Sequence, residues 1–416
     1  MKIVSKLMGI VLLLVTAGGS LSLNADEPKA ARDAESAKAV RSTVAPNAAV
    51  IYWQAFSAIP TLNEEQKKSI DAATASTTAP LTADLAQIIP KFRVSLHELH
   101  RARSVGPCDW QLDVGAGPSL LLTHLQKARD LSRVALLRAR MRFAAGETDA
   151  AISDVFDVYK LARDCGCQPI LISFLVDVAI EKMTNDVVAA HLPLLKPEQL
   201  DRLEVEIRQL PPTSDVVSCI QWEERLFGDW LARRIDEEAA KLNDPQAGGK
   251  LLRVLGVDTG LESELQPNPG DAEGKRKSDI LLSMTVAEVR ASLQQMRADY
   301  AELGVIAALP FSEQATRLKK LEESLAKARK VTNREDAARY FSTTLLPTVS
   351  NVLLREEQFK VRQGLLEQAI RMQRHGADTV RPVRNHKVDY KKTANGFELR
   401  CLIANEEVII VVGRAS

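Results

Sequence analysis

Aromatic residues are scarce in this chain, with Phe, Trp and Tyr making up 5% of its 416 residues. It also lacks a surplus of either charge, carrying 55 Lys and Arg against 54 Asp and Glu. A duplex nucleic-acid binder rests its affinity on a basic surplus, so no nucleic-acid partner is expected. The cysteines, Cys108, Cys165, Cys167, Cys219 and Cys401, are odd in number and irregularly spaced, which is not a disulfide framework. After the first 25 residues no run nears the ~20 apolar residues that span a bilayer, so no integral span is expected in the mature chain. There is no Gly-x-Ser-x-Gly elbow, no phosphate loop and no His-Glu-x-x-His motif. Gly115-Ala-Gly-Pro118 lacks the third glycine of a dinucleotide fingerprint, and no cofactor is expected.

What is present begins with an export signal. Lys2 and Lys6 precede an apolar core from Leu7 to Ala17, Gly18, Gly19 and Ser20 break it, and Leu23-Asn-Ala25 offers a small residue at the cleavage point. Leu23 is an imperfect residue at the −3 position, so retention as an anchor is the other outcome. Cleavage removes two lysines and no acid, moving the formal balance from +1 to −1. The expected location is the periplasm or cell envelope, or outside the cell.

The pattern predicts a mainly α fold: antiparallel helical hairpins in an irregular helical body, with a small C-terminal antiparallel β-meander. Residues 1–25 are the signal, 26–46 a flexible segment and 47–243 a helical domain. Residues 244–278 read as a linker or mobile insert, 279–375 as C-terminal helices including a long one, and 376–416 as the meander. Asn47 is placed to cap a first helix, and Thr61-Leu-Asn-Glu64 reads as a capping box for the next. Ser119 is expected to cap a long helix, which Gly146-Glu-Thr-Asp149 joins to an Ala-rich partner as an αα-hairpin. Near the end, Asn395-Gly396 is expected to supply the φ > 0 turn between alternating strands.

Four groups carry chemistry. His97 and His100 share a helix face, but nothing fixes a third ligand, so they read as a polar face and no metal is expected. Cys165-Gly-Cys167 is either a redox dithiol, half a metal site or two helix-end thiols; the last is adopted, because so small a disulfide ring is strained. The loop Cys108-Asp-Trp-Gln-Leu-Asp113 offers Asp109 or Asp113 as a base beside a thiol and an indole. Its plainer reading, adopted here, is a loop pinned by buried Trp110 and Cys108 with the acids capping backbone. Arg129, Arg133 and Arg140 rim one apolar helix face and form either an anion groove or pairs with Asp154 and Asp157 of the next helix; pairing is expected.

Asn47-Ala-Ala-Val-Ile-Tyr-Trp-Gln-Ala-Phe56, Pro107-Cys-Asp-Trp110, His124-Leu-Gln-Lys-Ala-Arg-Asp130 and the tail Tyr390 to Arg400 resemble a family of exported planctomycete proteins without an established activity. Thr379 to His386 departs from the more regular loop of that family. The resemblance implies export and a helical body and transfers no catalytic residue. The expected function is a non-enzymatic helical protein that binds an unknown protein or scaffolds part of the envelope. Its candidate binding residues are Asp109, Trp110, Asp113, Arg129, Arg133 and Arg140. The alternative is a hydrolase or lyase using the Cys108–Asp113 loop with Arg129 and Arg133 as its anion site.

Overall fold

The computed structural model describes residues 46–259, 262–267, 270–376 and 380–413. The expected signal and all but Pro46 of the expected flexible segment lie outside the described residues.

Local capping chemistry starts the helices. The Asn47 side chain accepts the Ala49 amide at 3.0 Å and begins α1 (Ala48–Ser57), which buries Tyr52, Ala55 and Phe56. The next helix, α2 (Glu64–Thr74), is capped by Asn63 in place of Thr61, because Gln66 reaches back to the Asn63 amide and completes the capping box there. After α3 (Arg93–Arg103) comes the hairpin of α4 (Thr123–Ala144) and α5 (Thr148–Cys165). Its turn uses Gly146 at φ +79°, a conformation that side chains resist. Ser119 does not cap α4: it ends a 3-10 turn, Val114–Ser119, within which Gly117 sits at φ +56° against Trp230. Two further helices follow, α6 (Leu171–His191) and α7 (Pro197–Gln209).

Asp215 opens α8 (Val216–Leu242), and Asn243 closes it in the left-handed region. Within 244–278, the stretch read as a linker, lies α9 (Gly248–Thr259), with Leu251, Leu252 and Leu255 buried. Gly248 and Gly249 are there for contact: a Cβ on either would overlap backbone of the segment from Leu282 to Thr285. The remaining helices are α10 (Ala272–Leu282), α11 (Val286–Ala307), α12 (Phe311–Ala328), α13 (Tyr340–Leu345) and the long α14 (Ser350–His375); single-turn pieces are left unnumbered.

The tail forms one antiparallel sheet in the order β1 (Asp389–Thr393), β2 (Gly396–Ile403), β3 (Glu406–Val412). Leu399, Cys401, Ile403, Val408, Ile410 and Val412 point inward from it. The φ > 0 turn lies elsewhere than expected: Ala404 and Asn405, at φ +48° and +67°, join β2 to β3. Gly396 keeps an ordinary φ, and is needed because a Cβ would strike the Val412 carbonyl. The fold is therefore mainly α with a small C-terminal antiparallel sheet.

Two apolar cores result. The first joins α1 to α7, the second half of α14 and the inner face of the sheet. The second joins α8 to α13 with the first half of α14, and takes Leu171 and Phe174 from the start of α6. Among the described residues no helix is long and apolar enough to cross a membrane.

Candidate functional site

The loop from Gly106 to Asp113 is held from three directions. Asn47 clamps the Asp109 backbone, donating to its carbonyl at 2.7 Å and accepting its amide at 2.9 Å, while Ala48 N–H donates to the Pro107 carbonyl at 3.1 Å. The indole N–H of buried Trp110 donates to the Asp164 carbonyl on α5 at 2.7 Å. Its ring stacks on His124 at 4.3 Å and on Phe56 at 6.1 Å, and Tyr52 closes the cluster from α1. Burial beside these rings holds the His124 imidazole neutral, pushing its pKa down to about 4.

The carboxylates of the loop are occupied by its own backbone. Asp109 accepts the Gln111 amide at 2.9 Å, which suits the left-handed Gln111, and Asp113 accepts the Gly115 amide at 3.0 Å. Both acids are exposed. Beneath the loop, Asp164 accepts from the Tyr52 hydroxyl at 2.7 Å and from Lys160 at 2.5 Å. Desolvation nonetheless raises the Asp164 carboxyl above its usual range, against the pull of Lys160.

Two cysteines distant in sequence meet here. Cys167, in the turn between α5 and α6, donates its thiol to the Cys108 carbonyl at 3.3 Å. Cys108 is half-buried and Cys167 exposed, while Cys165 is fully buried at the end of α5. The closeness of the two thiol side chains lowers the Cys167 pKa and, with burial, raises that of Cys108. Nothing in the spacing announced this pair.

The arginine rim divides. Arg133 reaches Asp71 and the Thr74 hydroxyl of α2, each at 2.6 Å, and buried Arg140 donates to the carbonyls of Ala73 and Ala79, each at 2.5 Å. Arg129 is exposed and makes no ion pair among the described residues. The expected partners are taken by other cations. Asp154 binds Arg138 and Arg142 at 2.6 and 2.7 Å, and Asp157 binds His100 at 3.0 Å with Arg103 at 3.5 Å. Thus Arg138 and Arg142 face the hairpin partner, while Arg133 and Arg140, on the other side of α4, face α2 and the segment that follows it.

His97 is exposed and His100 is turned to Asp157, so the pair does not converge on a common point. Among the described residues no three His, Cys, Asp or Glu side chains could hold a metal together. A buried acid pair, Asp177 and Glu181 on α6, escaped the sequence reading. Arg163 binds Glu181, Gln363 donates to it at 3.2 Å, and desolvation with the neighbouring Glu181 charge raises the Asp177 carboxyl well above its usual range. The available signal was two acids four apart in the otherwise largely apolar first half of the helix. Two open clefts meet at Lys360 and Arg384, one extending to Glu356 and Gln314, the other to Gln368 and Arg371.

Fold and site together define a helical protein whose loop polar groups tie helices together. No family model, curated protein or solved structure matches the chain.

Proposed function

We propose that this chain is an exported, non-enzymatic helical protein that binds a partner in the cell envelope, and that Trp53 lies at the centre of its binding face. One observation carries the reading. In an aromatic cluster otherwise withdrawn from water, Trp53 is 39% exposed, edge-on to Trp110 at 6.0 Å and to His124 at 6.5 Å. Val50, one turn earlier on α1, is exposed, and so is Leu121, three residues before His124. An exposed indole with apolar neighbours is a frequent anchor in protein interfaces. Exposed Asp109, beside Trp110, gives this face a polar rim. Export is supported by the Lys2–Ala25 signal pattern and by the resemblance to exported proteins.

A photo-cross-linking residue in place of Trp53, in the full chain expressed in its native envelope, tests this. The expected result is one discrete adduct from position 53 and none from position 305, where Val305 is more open still, at 60%, but lies on α11. Equal labelling from both positions, or no adduct from either, would refute the binding face. Turnover of an ester, peptide or glycoside by the purified chain, abolished by Asp109→Asn or Asp113→Asn, would favour the hydrolase or lyase reading instead.

A further inference from the structure

We propose that Cys108 and Cys167 form a reversible disulfide that ties the 106–113 loop to the α5–α6 turn. The inference rests on the geometry of the two residues and is independent of the proposed binding function.

The cysteines are held together by bonds on either side of each. Next to Cys108, the Pro107 carbonyl accepts from Ala48, and the Asp109 backbone is clamped by Asn47. Two residues beyond Cys108, the Trp110 indole reaches the Asp164 carbonyl, three residues before Cys167. The turn that carries Cys167 is fixed as well, since the Ser214 hydroxyl donates to the Gly166 carbonyl at 2.5 Å. A sulfur 3.3 Å from the carbonyl oxygen of the other cysteine sets the two residues side by side, and a small shift of either side chain is all that a disulfide, with Cα atoms typically ~4.4–6.8 Å apart, would ask of them. The remaining cysteines are poorly suited: Cys165, Cys219 and Cys401 are all buried. Linking Cys165 to Cys167 would close a strained ring through Gly166 alone.

The chemistry balances with a small-molecule or protein disulfide as oxidant. Cys167 is the exposed thiol, and its thiolate is favoured by the adjacent Cys108 thiol and by Lys160, against burial and the charges of Asp164 and Asp109. Its sulfur attacks one sulfur of the oxidant, a mixed disulfide forms, and the other oxidant sulfur leaves as a thiolate. Once Cys167 is in that bond it no longer carries the charge that discouraged ionisation of Cys108. Cys108 then gives its proton to solvent and attacks the Cys167 sulfur, expelling the second oxidant thiolate. Two protein thiols are oxidised and one external disulfide is reduced to two thiols.

The test uses the full chain, purified reduced and then equilibrated with oxidised and reduced glutathione. The expected outcome is loss of two of the five titratable thiols, a peptide joining Cys108 to Cys167, and a melting temperature a few degrees higher that a dithiol reductant reverses. Cys167→Ser, at an exposed position that the fold tolerates, should keep all its remaining thiols under the same oxidant. Five free thiols in excess oxidised glutathione would overturn the proposal. So would a stable glutathione adduct on Cys167 with Cys108 free, a cross-link between other cysteines, or thiol loss in Cys167→Ser that matches the wild type.

Discussion

Around the first core, neighbouring helices are tied by charges taken out of water, whereas around the second core most ties between helices stay at the surface. Asp154 is 2% exposed under Arg138 and Arg142, and the Glu181 side chain is 1% exposed beside Arg163. Across the second core, Arg297 meets Asp229, whose side chain is 65% exposed, and Arg290 meets the open Asp236. Its exception is Asp299, buried under Arg339 at 2.6 Å. The difference teaches where each half is vulnerable. Apolar patterning and capping boxes such as Thr285–Glu288 are enough to assemble the second, while the first has charges that become costly as soon as one partner is missing.

The largest expected effect follows from that asymmetry. Arg163→Ala should cost about 3–5 kcal/mol in urea unfolding, because it leaves the buried Glu181 without its cation. A cost under ~1 kcal/mol would erase the contrast between the halves.

Next come two pH effects of opposite sign. His124, in the first core, is pushed down to about 4 by burial, from an ordinary value near 6.5. Its contribution to stability is complete above pH 6.5 and is lost as pH falls through 4, a change of about 3 kcal/mol. Glu223, in the second core, accepts the Leu171 amide at 3.0 Å and is pushed up to about 7 by burial, from 4.5. Its contribution is complete below pH 4.5 and is lost as pH rises through 7, again by about 3 kcal/mol. Unfolding curves from pH 4 to 8 should therefore diverge from wild type in opposite directions for His124→Phe and Glu223→Gln. Parallel curves for both variants would dissociate these two sites from the pH response.

Smaller again, Asn47→Ala removes the α1 cap and both loop bonds, and should cost about 1–2 kcal/mol with faster hydrogen exchange at the Asp109 amide. Unchanged exchange there would show that Trp110 alone fixes the loop. The smallest effect is expected for Arg133→Ala. Its partner Asp71 has a side chain 63% exposed, so the melting temperature should barely move and the loss should be ~0–1 kcal/mol, matching Arg297→Ala in the second core.

Features set by neighbours in sequence were legible before the structure. Asn47 before an apolar run, Gly146 between two helical patterns and the alternation of Leu399, Cys401 and Ile403 each point to a local geometry, and each lies in that geometry here. Features set by encounters between distant segments were not. Of the rim arginines, Arg133 and Arg140 were legible as anchored residues and Arg129 was not rightly read so, and the partners Asp71, Ala73 and Ala79 lie about sixty residues upstream, where no spacing rule selects them over Asp154. Cys108 and Cys167 stand 59 residues apart, joined only because α4 and α5 fold back between them. Gly248-Gly249 reads in the sequence as part of a linker yet opens α9, because a glycine that loosens a chain and one that admits another backbone read alike.

The return of the tail to the first core has a kinetic consequence. The Gly413 amide donates to the Ala189 carbonyl, and the inner faces of β2 and β3 cover apolar surface on α6 and α14. The first core is therefore begun by segments near residue 50 and finished by segments near residue 410, so a growing chain holds its early helices with one apolar side open until β2 and β3 have been made. A chain cut short before β2 would present the uncovered side of α6 and α14 to chaperones and proteases.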